Sequence, residues 1–410
     1  MVSFIKEKCS KYIYGLLPAF LIHFGLGNMY SVSQITNKVA LDAGVSESDT
    51  HLVFVVMVIV MGIASAISGR ILKIGLKYSI FLSILLFVTG TFMTSLGLLM
   101  HVFHPVVIGY GIISAIGLGF LYLIPISNVM RWFPKHEGLA VGWTILGFGL
   151  SSIVSSPILS LNYDSDTYIL VLKILLVSIT PMILGLILIR KPNPNEVYRY
   201  EPFIKSISNV VKLSSSRNFI LIWFLFLFKL SVGLMIIYNI FFILNYNMYE
   251  FDYNSIVRII SLGFISNCLG RVIVPFIVDK IPEGKKLLIN YAIFGIPLLS
   301  LIVTYIIHDW SIFPISVYII LFMYGGGISC IPTILSESYT FKKYVGTVQG
   351  IMFTSWCIAG LIGAGLGQII LNYLGIVPLL SYATFMYVIG LILSIKLIRN
   401  LKSKGKYELS

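Results

Sequence analysis

The sequence predicts an all-α polytopic membrane protein, with twelve transmembrane helices in two pseudo-symmetric six-helix halves. Composition is the first reason: 58% of the 410 residues are hydrophobic and 11% charged, whereas soluble domains carry roughly 25% charged residues. Mean hydropathy is +0.95. The second reason is the spacing of apolar runs near the ~20 residues that cross a bilayer. The third is an internal repeat.

The runs fall at 12–34, 51–68, 78–100, 106–130, 138–160, 168–189, 218–244, 253–278, 286–307, 312–334, 346–372 and 375–398, here numbered spans 1 to 12. Helices are expected throughout, because a lone segment in lipid must satisfy its own backbone hydrogen bonds. Span 1 is longer than a signal peptide and lacks a small-residue cleavage site. The positive charges sort to one side of the spans. The loops read as internal hold Lys6 to Lys11, Arg70 to Lys77, Arg131 and Lys135, the stretch 190–217, Lys280 to Lys286, Lys342 and Lys343, and the tail from Lys396. On the other side only Lys38 faces a set of Asp and Glu. By the positive-inside rule both termini and the central loop are cytoplasmic. The net charge of +13 is therefore topological and does not indicate nucleic acid as a partner; basic loops also suit anionic lipid headgroups.

The repeat has an offset of about 207 residues. Gly117 to Pro125 in span 4 resembles Tyr324 to Pro332 in span 10, Gly138 and Gly142 in span 5 echo Gly346 and Gly350 in span 11, and the basic loop from Lys73 to Lys77 corresponds to Lys280 to Lys286. The domains expected are 1–189, a basic linker 190–217, and 218–410. Small residues at intervals of four in spans 5 and 11 let helices approach closely, as either moving gates or static packing would require.

Two such halves are the layout of the major facilitator superfamily, whose substrates bind near the midplane between repeats. The stretch Arg131-Trp-Phe-Pro-Lys-His-Glu-Gly-Leu-Ala-Val-Gly142, followed by Gly147-Phe-Gly149, resembles the entry to the fifth helix of the oxalate–formate antiporter family and the related element of monocarboxylate transporters. In span 1, Gly27-Asn-Met-Tyr30-Ser-Val-Ser33 is similar to that family's Gly-x-x-Tyr-x-x-Ser; in span 8, Asn267-Cys-Leu-Gly-Arg271 with Asp279 resembles its Asn-x-x-x-Arg and loop acid. The resemblance implies anion transport. It also implies a departure: the cations with which the family's oxalate carrier grips its dianion register here on Phe264 and Thr347, which argues against oxalate itself. The superfamily's loop Asp between spans 2 and 3 registers on Leu72, while Asp279 keeps the second copy.

Apart from the cations already assigned to the loops and tail, four lie within the spans, Lys173, Lys229, Arg258 and Arg271, and no Asp or Glu does. Lys229 is eleven residues into span 7, about 16 Å deep at about 1.5 Å per residue. An ammonium there costs roughly 3 kcal/mol or more and needs a water-filled cavity or a partner; an anionic substrate would serve, and so would a bend that brings the amine to polar backbone. Subtracting the repeat offset places His23 of span 1 next to the equivalent of Lys229, so the two would face each other across the substrate path. Histidine as a residue type titrates near neutral pH, which suits His23 to a proton or substrate role; the alternative is a hydrogen-bonded packing residue. Asn28 and Tyr30 (span 1), Tyr122 (span 4), and Tyr238 and Asn239 (span 7) could orient a carboxylate or tie helices together. Lys173 and Arg258 sit near the outer face and snorkel. Arg131, Gly138, Gly142, Arg271, Asp279, Gly346 and Gly350 are read as gating residues.

The function expected is an alternating-access carrier, secondary active or facilitative, of small organic anions, monocarboxylates of the lactate, pyruvate or formate type, with protons or a counter-anion as the partner of a coupled cycle. The alternatives are a carrier of a neutral solute or drug, and a non-transporting sensor. The partners expected are that anion and the lipid bilayer, and the chain is read as a monomer. No enzyme, cofactor or metal is expected: there is no phosphate-binding Gly-x-x-x-x-Gly-Lys loop, no clustered His and Cys, and the four cysteines are scattered.

Overall fold

The structure, a computed structural model, describes residues 9–29, 35–162, 164–193, 216–245, 253–282, 285–307, 310–336 and 345–403. Every expected span carries a helix. Among the described residues nine helices are long and apolar enough to cross a membrane by length and composition. The other three spans hold Leu17–Gly27, Glu137–Leu161 and Phe313–Ser329. The fold is all-helical and polytopic, as the hydropathy requires.

Local chemistry sets the helix ends. The span 2 helix is Glu47–Ile71, starting ahead of the apolar run, because Ser46 and Asp49 form a capping box: Ser46 Oγ accepts from the Asp49 amide at 3.3 Å and Asp49 Oδ2 accepts from the Ser46 amide at 3.1 Å, satisfying donors at the helix start. Between spans 1 and 2 lies a further helix, Thr36–Ala43, ended by Gly44 at φ +65°; its Val39 and Ala43 pack with Leu98, Val106, Leu159, Leu170 and Ile174. Span 1 is shorter than expected within the described residues: a π-helical turn Tyr12–Leu16 leads into Leu17–Gly27. The span 10 helix stops at Ser329 and a short helix Ile331–Ser336 follows.

The chain divides into two compact units, one of residues 1–206 with 346–354 and one of 207–345 with 355–410. In the first unit span 1 packs on spans 5 and 6, span 2 on span 4, and span 3 on spans 4 and 6. In the second unit span 7 packs on spans 11 and 12, span 8 on span 10, and span 9 on spans 10 and 12. The second set is the first with six added to each number. The same internal wiring in both units is the structural form of the repeat. Glycine makes several of these crossings close: a Cβ on Gly27 would lie 2.0 Å from the Phe148 carbonyl oxygen, and one on Gly270 would lie 1.9 Å from that of Phe322.

Candidate functional site

In the first unit two of the candidate residues meet. His23, fully buried, places Nδ1 3.0 Å from the Ala19 carbonyl oxygen one turn earlier. Its ring stands edge-on to Tyr122, with centroids 5.2 Å apart. Tyr122 in turn touches Phe148 of span 5 at 6.0 Å and Phe353 at 4.6 Å. Tyr122 is thus the hub of a buried aromatic group that holds the histidine ring in place. Such edge-to-face pairs add about 0.5–1.5 kcal/mol each beyond the area they bury.

Asn28 is committed to three helices. Its Nδ2 donates to Ser178 Oγ of span 6 at 3.0 Å, and its Oδ1 accepts from Ser151 Oγ of span 5. Ser178 Oγ passes its own proton to the Ile174 carbonyl at 2.8 Å. The amide therefore ties span 1 to spans 5 and 6. Replacing Asn28 by alanine removes two interhelical bonds, each worth about 0.6 kcal/mol on average between membrane helices, and is expected to lower the melting temperature in detergent by a few degrees. An unchanged melting temperature would show that the tie contributes nothing.

In the second unit Lys229 is 2% exposed. Its Nζ donates to the carbonyl oxygen of Gly327, in span 10, at 3.0 Å and stands 3.6 Å from the centre of the Phe226 ring. His23 and Lys229, near-equivalents in sequence, thus turn toward equivalent neighbours: span 4 in the first unit, span 10 in the second. Asn239 is fully buried; its Nδ2 donates to the Met235 carbonyl at 2.9 Å, while Oδ1 has no hydrogen-bond partner. Tyr238, beside it, is half-buried. Tyr30 lies outside the described residues.

The residues read as gating are dispersed. Arg131 is exposed near the end of the helix Ala115–Trp132, and Gly138 and Gly142 are buried at the start of Glu137–Leu161. Arg271 is buried, and its Nε donates to Asn267 Oδ1 at 2.9 Å one turn away; Asp279 sits half-buried at the end of Tyr253–Lys280. Gly346 belongs to the first turn of Val345–Ala359. A Cβ on Gly350 would meet the Ala66 Cα at 2.4 Å. The two remaining intramembrane cations reach polar groups near the helix ends: Lys173 Nζ donates to Asn162 Oδ1 at 2.6 Å, and Arg258 Nη2 to Ser255 Oγ at 3.2 Å.

Sequence reasoning missed the partners more than the candidates. Gly327, Phe226 and Phe353 were not singled out, and the three consecutive glycines of span 10 were the one available signal for the first of them. Among the described residues no group of three or more His, Cys, Asp or Glu could hold a metal ion.

Two repeats of six apolar helices are the architecture of a membrane transport protein. The family model of the Major Facilitator Superfamily matches residues 16–364, and the chain belongs to that superfamily, whose members are transporters and not enzymes. It is similar to an uncharacterized MFS-type transporter, YhjX, of Escherichia coli, at 20% identity over 361 residues, covering 86% of this chain and 85% of the relative. It is also similar to the oxalate:formate antiporter of Oxalobacter formigenes, at 23% identity over 377 residues, covering 89% and 86%. Among solved structures, a bacterial homologue of the iron transporter ferroportin in an outward-facing state superposes with a TM-score of 0.73 at 13% identity, covering 93% of this chain and 98% of that one; this likeness speaks to the fold alone.

Proposed function

We propose that this carrier moves small organic anions, monocarboxylates of the lactate, pyruvate or formate type, by alternating access, with its termini on the cytoplasmic side. The observation that carries the reading is Lys229: a buried cation deep in span 7, in a chain whose expected spans contain no carboxylate to neutralise it. Placing an ammonium there is costly, and a substrate carboxylate is the counter-ion that would make the cost useful. His23, Tyr30, Tyr122, Tyr238 and Asn239 are assigned the orientation of that carboxylate, with the unpartnered Oδ1 of Asn239 suited to a donor on the substrate such as the lactate hydroxyl. Asn28 contributes by fixing span 1. The likeness to the oxalate:formate antiporter supports the anion class. The absence of intramembrane acids removes the usual proton relay and favours exchange of one anion for another, with His23 the group left for proton coupling. Arg131, Gly138, Gly142, Arg271, Asp279, Gly346 and Gly350 are assigned to the closing of each side.

A second reading is a carrier of a neutral solute. It is favoured by the bond from Lys229 to the Gly327 carbonyl, which gives the ammonium a structural use without any substrate. Uptake of labelled pyruvate, lactate, formate and oxalate into liposomes separates the two. The anion reading expects monocarboxylate uptake that rises when the liposomes are preloaded with carboxylate. No uptake of any acid by folded, inserted protein would leave the neutral-solute reading in its place.

A further inference from the structure

We propose that Gly327 is a positioning residue for Lys229: its carbonyl holds the ammonium while no anion is bound, and an arriving carboxylate draws the ammonium away from it. This inference rests on the reading of Lys229 as the anion ligand.

The three consecutive glycines of span 10 have different neighbours, and the difference singles out the third. A Cβ on Gly325 would lie 2.2 Å from the Asn267 carbonyl oxygen, and one on Gly326 would lie 2.4 Å from the Val274 side chain and 3.0 Å from the Gly270 carbonyl oxygen. Those two glycines make room for the span 8 helix, Tyr253–Lys280. The three atoms nearest to a Cβ on Gly327 all belong to Lys229, Cδ at 3.1 Å and Cε and Nζ both at 3.4 Å. The first atoms that a side chain at 327 would press on are those of the lysine, not the backbone of a crossing helix.

The carbonyl is also the right kind of acceptor. Gly327 is in the last turn of the helix Phe313–Ser329, where carbonyls outrun their intrahelical donors and the helix dipole favours a cation. The face of the Phe226 ring, 3.6 Å from Nζ, supplies a second weak attraction. Both contacts are neutral and neither balances the charge. A carboxylate offers the same ammonium a charge-assisted bond roughly twice as strong as a neutral one. The flexible four-carbon stem of lysine permits the transfer. The holding site therefore competes with the substrate, and weakening it raises anion affinity.

The test is a double-mutant cycle on affinity for labelled pyruvate, using the full-length parent, Gly327→Ala, Lys229→Met and the combined variant. Gly327→Ala is expected to tighten binding by at least about threefold, within the coupling typical of touching residues, and to change nothing in the Lys229→Met background. Phe226→Leu, which removes the ring face and keeps an apolar side chain, is expected to behave the same way and serves if Gly327→Ala does not fold. Weaker binding, no change, or an equal change in both backgrounds would overturn the holding role while leaving Lys229 as the anion ligand. Parent-like pyruvate affinity in Lys229→Met would overturn both.

Discussion

A Lys229→Met carrier is expected to lose labelled monocarboxylate uptake by about 10- to 100-fold while melting at or above the temperature of the parent. The two effects have opposite signs because the ammonium has two separate consequences. Toward substrate it makes a charge-assisted hydrogen bond of about 1.5–3 kcal/mol, and each 1.4 kcal/mol is a factor of about ten in binding. Toward the fold it is a liability of roughly 3 kcal/mol at mid-membrane depth, offset by one carbonyl and one ring face. Methionine has nearly the same length and no charge, so it fills the space beside Gly327 without the desolvation cost. Replacement of buried ionic groups by apolar residues of similar volume is often neutral or stabilising. If Lys229 were only a tie between spans 7 and 10, melting would fall and uptake by the correctly folded fraction would be unchanged. Lys229→Arg keeps the charge, but the planar guanidinium does not fit a site shaped for a narrow ammonium; partial uptake is expected. Uptake rates normalised to folded protein, measured beside thermal melts of all three proteins, decide between the two accounts.

The fold was legible in this chain because a bilayer allows so few solutions. An apolar run of about 20 residues must close its own hydrogen bonds, so hydropathy placed a helix in every span. What hydropathy misses is whatever depends on polar residues. The start of span 2 at Glu47 is set by the side chains of Ser46 and Asp49, and the helix Thr36–Ala43 is too short and too polar to register as a span. The candidate site divides in the same way. Lys229 stands out in sequence because a cation in an apolar run is conspicuous, and His23 because the repeat offset leads to it. Their surroundings are set by residues far away along the chain: Gly327 lies 98 positions from Lys229, and no local pattern joins them. In sequence Asn28 reads as a carboxylate ligand or a tie between helices, because an amide in a span must bond to something; the partners it has, Ser151 and Ser178, lie on two helices whose packing on span 1 was not readable. Close crossings were expected in spans 5 and 11, on glycines that include Gly138, Gly142, Gly147, Gly149, Gly346, Gly350, Gly360, Gly363 and Gly367, and in span 5 a Cβ on Gly147 would lie 2.4 Å from the Phe20 carbonyl oxygen. In the second unit a Cβ on Gly363 of span 11 would lie 2.2 Å from the Ser231 carbonyl oxygen of span 7, and one on Gly270 of span 8 would lie closer still to span 10.

That approach gives the largest stability effect expected. Gly270→Ala should prevent accumulation of folded protein or lower its melting temperature severely. A Cβ at Gly270 would lie 1.9 Å from the Phe322 carbonyl oxygen, 2.8 Å from its carbonyl carbon and 3.0 Å from its Cα. All three atoms are backbone, so no rotamer change relieves the contact and the helices Tyr253–Lys280 and Phe313–Ser329 must move apart. A Cβ on Gly325 would lie 2.2 Å from the Asn267 carbonyl oxygen in the same seam, so separation at one point unpacks the other. Overpacking that side chains can absorb costs about 1–3 kcal/mol; a rigid clash that opens a whole crossing belongs at or above the top of that range. Gly295→Ala is the matched control. It too lies inside a span helix, Ile289–Ile307, but an added Cβ there meets nothing within 4 Å. Without a clash the substitution gains the helix preference of alanine over glycine, about 0.5–1 kcal/mol, and melting should rise slightly. Thermal melts followed by tryptophan fluorescence in one detergent would test the pair. Gly270→Ala melting within a degree of the parent would mean that spans 8 and 10 do not cross backbone to backbone, and the holding site at Gly327, which depends on the path of span 10, would lose its geometric basis with it.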